Sequence, residues 1–191
     1  MSKKIFVHSC CAACASHVFS ELEKAGFKVV AFFYNPEVDE TAEYTERKQG
    51  LIKYCLENKI EFVEGEYLPI DFSNLTAPFK DPTSMKYISD KERYRRKRCA
   101  LCNSMVIQET VEQAKKKRLK YFTTTLLCSP YKNHDEIVEI SNEEALDYGI
   151  NFYYQDFRKG YWKGRNYARN HSIELPSYCG CLESQKERRL E

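Results

Sequence analysis

The chain carries nine cysteines, and seven of them fall into three tight groups. The first is His8-Ser-Cys-Cys-Ala-Ala-Cys-Ala-Ser16, the second Arg98-Cys-Ala-Leu-Cys102, the third Pro176-Ser-Tyr-Cys-Gly-Cys181. Thiols at the start of a helix are expected to have lowered pKa values and to take up a cation as thiolates. Cys99 and Cys102, three residues apart, project from one face of a helix. With Cys10 and Cys11 they make four soft ligands, which either zinc or an iron-sulfur cluster accepts. A structural zinc knuckle usually closes a small domain without its own core, so a [4Fe-4S] cluster is preferred here. Cys179 and Cys181 close too small a loop for an unstrained disulfide, and strained bridges are the easily reduced ones. The pair reads as a cycling dithiol, with ligation of a second metal or an idle exposed pair as alternatives. Cys14 is spare, as a ligand to that second metal or a thiol tuning the first. Isolated Cys55 and Cys128 read as small buried hydrophobes.

Positioning these groups requires a scaffold, and the hydrophobic pattern supplies one. Apolar strands are expected at 4–8, 28–34, 60–64, 121–127 and 151–154, and helical periodicity at 14–26, 41–58, 90–118, 133–148 and 160–170. Strands that alternate with helices and are apolar on both faces imply a buried, mostly parallel sheet. The expected fold is a Rossmann-like (HUP-like) three-layer α/β/α sandwich, a single domain over 1–191. Within it, 67–90 is an irregular excursion or lid, and 171–191 is a C-terminal tail bearing Cys-Gly-Cys. Ligands of such sheets bind beyond the carboxyl ends of the strands. The segments 8–14, 35–36, 128–133 and 156–158 should therefore share one rim. The loop after the first strand has no glycine, which argues against a phosphate-binding turn.

Charge is nearly balanced, 30 Lys and Arg against 28 Asp and Glu, so any anionic partner must be met by local clusters. Six cations crowd into Lys91-Glu-Arg-Tyr-Arg-Arg-Lys-Arg98, directly before Cys99, and Lys115-Lys-Lys-Arg118 follows on the same helix. A solvated helix face and an RNA-binding stripe both fit that pattern. Tyr34, Tyr131, Phe157 and Tyr161 are rim aromatics able to stack an extruded base. Tyr131, Lys132 and Arg158 are candidates for substrate contact, and His134 for proton transfer or a helix cap. Asp156 is a candidate acid or metal ligand, unless it merely pairs with Arg158. No apolar run reaches the roughly 18 residues of a membrane span, and no signal-peptide core follows Met1, so a cytoplasmic protein with no membrane partner is expected.

In order along the chain, Cys10-Cys-x-x-Cys14, Tyr34-Asn-Pro36, Arg98-Cys-x-x-Cys102, Thr125-Leu-Leu-x-Ser-Pro-Tyr-Lys132, Asp156-Phe-Arg158 and Tyr178-Cys-Gly-Cys181 resemble epoxyqueuosine reductase of the QueH type. Ala13 stands where that pattern usually has proline. The resemblance implies an oxidoreductase that reduces the epoxide of epoxyqueuosine to the alkene in the tRNA anticodon loop, the last step of queuosine formation. It implies [4Fe-4S] ligation by Cys10, Cys11, Cys99 and Cys102, and a redox-active Cys179–Cys181 pair. A second, mononuclear iron is the alternative role for the tail. Without a flavin or nicotinamide fingerprint, an external electron donor is expected to restore the enzyme. Two rival readings are a cluster-dependent enzyme handling sulfur in tRNA thionucleosides and a zinc-stabilised RNA-binding module without turnover.

Overall fold

The computed structural model describes residues 3–38, 41–68, 74–79 and 88–188. In chain order its elements are β1 (Lys3–His8), α1 (Ala12–Lys24), β2 (Phe27–Phe33), α2 (Thr41–Glu57), β3 (Glu61–Glu64), α3 (Ile88–Lys116), β4 (Tyr121–Thr124), α4 (His134–Tyr148), β5 (Asn151–Phe152), α5 (Tyr161–Asn170) and α6 (Leu182–Arg188). The strands form one sheet in the order β3-β2-β1-β4-β5, and every pairing is parallel. Ile5, Phe6 and Val7 of β1 and Ala31, Phe32 and Phe33 of β2 are wholly buried, as strands covered on both faces must be. On one face α1 packs against α2 and α5; on the other α3 packs against α4 and across β1 and β4. The result is the expected Rossmann-like three-layer sandwich.

The chain runs outward from β1 to β2 and β3, then returns to place β4 on the other side of β1. The β1/β4 boundary is thus the topological switch point, where the loops leaving adjacent strands diverge and a crevice opens. Cys10 to Cys14 leave the end of β1, and Thr125 to Cys128 leave the end of β4, so the first cysteine group sits at that crevice.

Several boundaries differ from the sequence expectation. β4 stops at Thr124 and gives way to a 3-10 turn, Thr125–Cys128, because the Thr124 hydroxyl caps the turn by accepting from the Leu126 N–H at 3.1 Å. β5 is only two residues long. Asn133, not His134, caps α4, its side chain accepting from the Glu136 N–H. Much of the expected 67–90 excursion lies outside the described residues; inside it, Ala77–Phe79 is a 3-10 turn and α3 has already begun at Ile88. The tail, in which no further helix was expected, carries α6.

Candidate active site

The switch point is tied together from below by His8, the last residue of β1. Its buried imidazole lies 2.8 Å from the Thr124 hydroxyl through Nδ1 and 3.0 Å from the Tyr34 carbonyl through Nε2. A carbonyl only accepts, so Nε2 carries the proton and Nδ1 accepts from Thr124. Burial holds this histidine neutral, its pKa pushed down to about 3, against the pull of the Tyr34 carbonyl and with help from the Lys132 charge. One neutral side chain thereby fixes the ends of β1, β2 and β4 relative to each other.

Above it, the sulfurs of Cys10, Cys11 and Cys14 all lie within 4.8 Å of one another. Thr125 orients the first of them: its Oγ1 accepts from the Cys10 N–H at 3.1 Å and donates to the Cys10 sulfur at 3.5 Å. Cys128, wholly buried at the end of the same 3-10 turn, hydrogen-bonds to Cys14. The expectation of lowered pKa values at this helix start does not hold for the metal-free thiols. Cys10 is raised, first by its hydrogen bond with Cys11. Cys11 is drawn down by Cys10, but Cys14 and burial push it up to about 12. Cys14 is raised by Cys10, Cys128 and burial. Three adjacent sulfurs cannot all ionise out of water unless a cation takes the place of their protons.

α5 closes the site on the other side of α1. A Cβ at Gly164 would lie 2.0 Å from the Ala13 carbonyl oxygen, so only glycine lets this helix rest on the first turn of α1. The close approach brings Tyr161 to the rim, where its phenol is raised by burial.

The second and third cysteine groups meet elsewhere on the rim. Cys102 and Cys181 are buried together, with Met105 beside them. The tail is held there by Arg47 of α2, whose guanidinium donates to the Cys179 and Tyr178 carbonyls at 2.9 Å each and pairs with Glu43. Gly180 adopts φ 137, a conformation unfavourable for side-chain-bearing residues, and a Cβ there would meet Val38 at 2.9 Å. Arg98 is turned inward, gripping Glu187 of α6 through two bonds of 3.0 and 3.2 Å. The Cys181 thiol is raised by burial, with Arg98 pulling the other way. Burial likewise raises Cys102. Lys132 faces this group: burial opposes its charge, but Cys179, Cys102, Cys99 and Glu37 hold its pKa well above that of an ordinary lysine. Its ammonium also reaches the Asn103 side-chain oxygen at 3.5 Å.

The described sulfurs thus gather Cys14 with Cys10 and Cys11, the residue that the spacing left spare, while Cys99 and Cys102 stand outside that trio. Asp156 and Arg158 form the ion pair, with contacts down to 2.6 Å. Arg158 holds the Asp156 carboxyl well below the usual carboxylate range, so it is an anion near neutrality and has no proton to give. Phe157 is buried and Tyr34 stacks on Phe32, leaving Tyr131 as the exposed member of the expected aromatic set and Tyr161 half-buried. Of the cations in 91–98, all but Arg98 face solvent.

Sequence reasoning missed Arg47, and it gave no role at the site to Cys128, Thr125 and Asn35, although it placed 35–36 and 128–133 on the rim and Thr125 in a family motif. Cys128 and Thr125 follow β4, which placed them on the rim from the start. Arg47 gave no signal, because its partners are main-chain carbonyls about 130 residues away. Asn35 is 1% exposed, yet neither its side-chain nitrogen nor its oxygen has a hydrogen-bond partner among the described residues. Such an orphaned amide on the rim, together with protonated soft donors, fits a thiolate-bound metal group whose sulfides or substrate accept and donate hydrogen bonds.

Comparison with known proteins agrees with this chemistry. The family model described as epoxyqueuosine reductase QueH matches residues 5–187. The epoxyqueuosine reductase QueH of Thermotoga maritima is 31% identical over 187 residues, covering 97% of this chain and 92% of that protein. That of Dehalococcoides mccartyi is 28% identical, covering 98% and 96%. Among solved structures, the Bordetella bronchiseptica enzyme WbmH in complex with NAD+ aligns with 80% of this chain and 55% of its own at 17% identity and a TM-score of 0.32, too slight a likeness to add to the strand order. The match to the family model across nearly the whole chain places this protein in the QueH family of epoxyqueuosine reductases.

Proposed function

We propose that this protein reduces epoxyqueuosine to queuosine in the anticodon loop of tRNA, in the cytoplasm, using a [4Fe-4S] cluster and the Cys179–Cys181 dithiol. The observation that carries the reading is the Cys10–Cys11–Cys14 trio at the switch point of a QueH-family chain. Cys10 and Cys11, with Cys99 and Cys102 of α3, would hold the cluster, leaving Cys14 for a second, mononuclear iron. Such a group supplies one-electron transfer and a Lewis-acidic iron.

The chain's own residues supply the rest. Converting an epoxide to an alkene breaks two C–O bonds, consumes two electrons and two protons, and releases water. Oxidation of Cys179 and Cys181 to a disulfide yields that number of electrons and protons, and an external thiol or other two-electron donor must then reduce the bridge. Lys132 presents a persistent cation beside Cys179, suited to holding an anionic part of the substrate or the oxygen as it acquires charge. Asp156 keeps Arg158 oriented on the rim through their ion pair. His8, neutral and doubly bonded, keeps the three strand ends in register.

The test is conversion of epoxyqueuosine-bearing tRNA by anaerobically prepared protein, read as queuosine after nuclease digestion. About four iron and four sulfide per chain, a 400 nm absorbance bleached by dithionite, and queuosine formation are expected. Stoichiometric zinc with full activity after iron removal refutes the cluster. RNA binding with no conversion by the iron-loaded protein refutes the reductase reading.

A further inference from the structure

Three aromatic side chains are exposed among the described residues, Tyr131, Tyr154 and Trp162, and all belong to the β4–β5 end of the rim or the α5 that follows it. Tyr131 is 71% and Trp162 60% exposed. They are linked through the half-buried Tyr161, whose ring centroid lies 5.8 Å from that of Tyr131 and 5.2 Å from that of Trp162, each at close to a right angle. Tyr161 is also the first residue of α5, the helix that rests through Gly164 on Ala13, next to Cys14 in the chain. The aromatic row therefore starts on the helix packed against the first turn of α1 and runs outward into solvent. Leaving large rings in water forgoes the gain from their burial, so two of them linked through a third mark a contact surface.

The chemistry of the surrounding segment says what it contacts. Residues 157–173 contain five Lys and Arg and no Asp or Glu, in a chain where the two signs are otherwise nearly equal. The Arg165 guanidinium sits 5.7 Å over the Tyr161 ring. Neither Lys159 nor Lys163 forms an ion pair with any described residue. Exposed rings interleaved with unpaired cations are the arrangement that binds single-stranded nucleic acid: the rings stack bases and the cations meet phosphates. The more densely charged 91–98 stretch lacks half of this, because its one aromatic, Tyr94, is buried.

We propose that Tyr131 and Trp162 form a stacking platform for the unpaired anticodon-loop bases that flank the target nucleotide, with the α5 segment neutralising their phosphates. This rests on tRNA being the substrate. A base stacked on Tyr131 or Trp162 lies beside Tyr161, so its neighbour in the loop can reach the trio. The 91–98 stripe then serves the more distant stem, where only phosphates need to be met.

Trp162 is the chain's single tryptophan, which makes the platform directly observable. Iron-loaded holoprotein should be titrated with an unmodified anticodon stem-loop RNA and with a blunt duplex of equal length. The stem-loop is expected to quench tryptophan fluorescence saturably, and the duplex much less. By anisotropy of labelled stem-loop, Trp162→Ala and Tyr131→Ala should each weaken binding about tenfold, the scale of one lost base–aromatic stack, while Trp162→Phe recovers most of it. With epoxyqueuosine-bearing tRNA, the loss in Trp162→Ala should fall mainly on KM. Unchanged fluorescence at saturating stem-loop, or both alanine variants binding within twofold of wild type, overturns the platform. The two readings fail separately: wild-type protein that quenches and binds but converts no epoxyqueuosine keeps the platform and loses the reductase, whereas normal conversion with an unaltered KM in Trp162→Ala does the reverse.

Discussion

The two sulfur-rich regions of this molecule are built in opposite ways. Cys10, Cys11 and Cys14 come from a single turn between β1 and α1, and are held by Thr125 and Cys128 from the neighbouring strand end. Cys102 and Cys181 come from the middle of α3 and from the tail, brought together by Arg47 and Arg98 through contacts that span 89 to 132 residues. In the first region the three sulfurs crowd within 4.8 Å of one another, and Arg47 lies within electrostatic reach of Cys11. In the second, cations are already present: Lys132 and Arg98 lie within electrostatic reach of Cys179, Cys99 and Cys181. Three thiols this close can bind a metal once they give up their protons. Burial still raises Cys102 and Cys181, with Arg98 opposing it at Cys181.

The sharpest break of that contrast is substitution in the first region. Cys10→Ser and Cys11→Ser should each abolish most bound iron and all turnover, as should Cys99→Ser with Cys102→Ser if α3 completes the ligand set; iron assay and the visible spectrum decide. Loading should also depend on pH. A thiol pushed up to about 12, as Cys11 is, must surrender its proton to the metal, so reconstitution of metal-free protein should strengthen as pH rises through neutrality and weaken below it. Iron uptake that is flat from mildly acidic to mildly alkaline buffer contradicts that view of the trio.

Next in size are Cys179→Ser and Cys181→Ser. Each should keep the chromophore and stop multiple turnover, since a lone thiol forms no internal disulfide. Loss of about one iron per chain in either variant, with a defect already in the first turnover of prereduced enzyme, would move the tail from redox partner to metal ligand.

Arg47→Met probes how far the second region depends on its anchor. Arg47 is 6% exposed, and its loss strands the Tyr178 and Cys179 carbonyls together with Glu43. A destabilisation of about 3 kcal/mol is expected for a broken buried ion pair, read as a lower denaturant midpoint. Multiple turnover should fall while iron content stays near normal, because the trio is positioned independently of the tail. Iron loss matching the fall in turnover would show the two regions to be one.

The contrast also explains what the sequence disclosed. The alternation of strand and helix, and hence the parallel sandwich, was legible because β1 and β2 are largely apolar, Gly26 ends the helix between them and Asn35-Pro36 follows β2. The cysteine groups were legible because each is local in sequence. What escaped was set by distance or by burial. Arg47 looks like one more cation on an amphipathic helix until the tail docks against it. Asp156 and Arg158 could be read either as functional groups or as an ion pair, and their two-residue spacing lets the ion pair form. The thiol pKa values ran opposite to expectation, because proximity to a helix start counts for less than three sulfurs crowded together away from water.

The smallest expected effect separates the two cysteines that the sequence treated alike. Cys55 lies in α2, 2% exposed, and its thiol is raised to about 12 by burial alone. Cys128 is equally buried but hydrogen-bonds to Cys14. Cys55→Ala should therefore cost about 1 kcal/mol of stability, the scale of deleting a small buried group, with iron content and turnover preserved. Cys128→Ala removes a similar volume, so its stability loss should be similar. It also removes the hydrogen-bond partner that orients the Cys14 sulfur, so iron should leave severalfold faster when a chelator is added. Comparing chelator-driven bleaching in the two variants isolates that difference from packing. Equal bleaching rates would return Cys128 to the structural role its isolation in the sequence suggested, and would confine the metal site to the three residues of the β1–α1 turn on this side of the crevice.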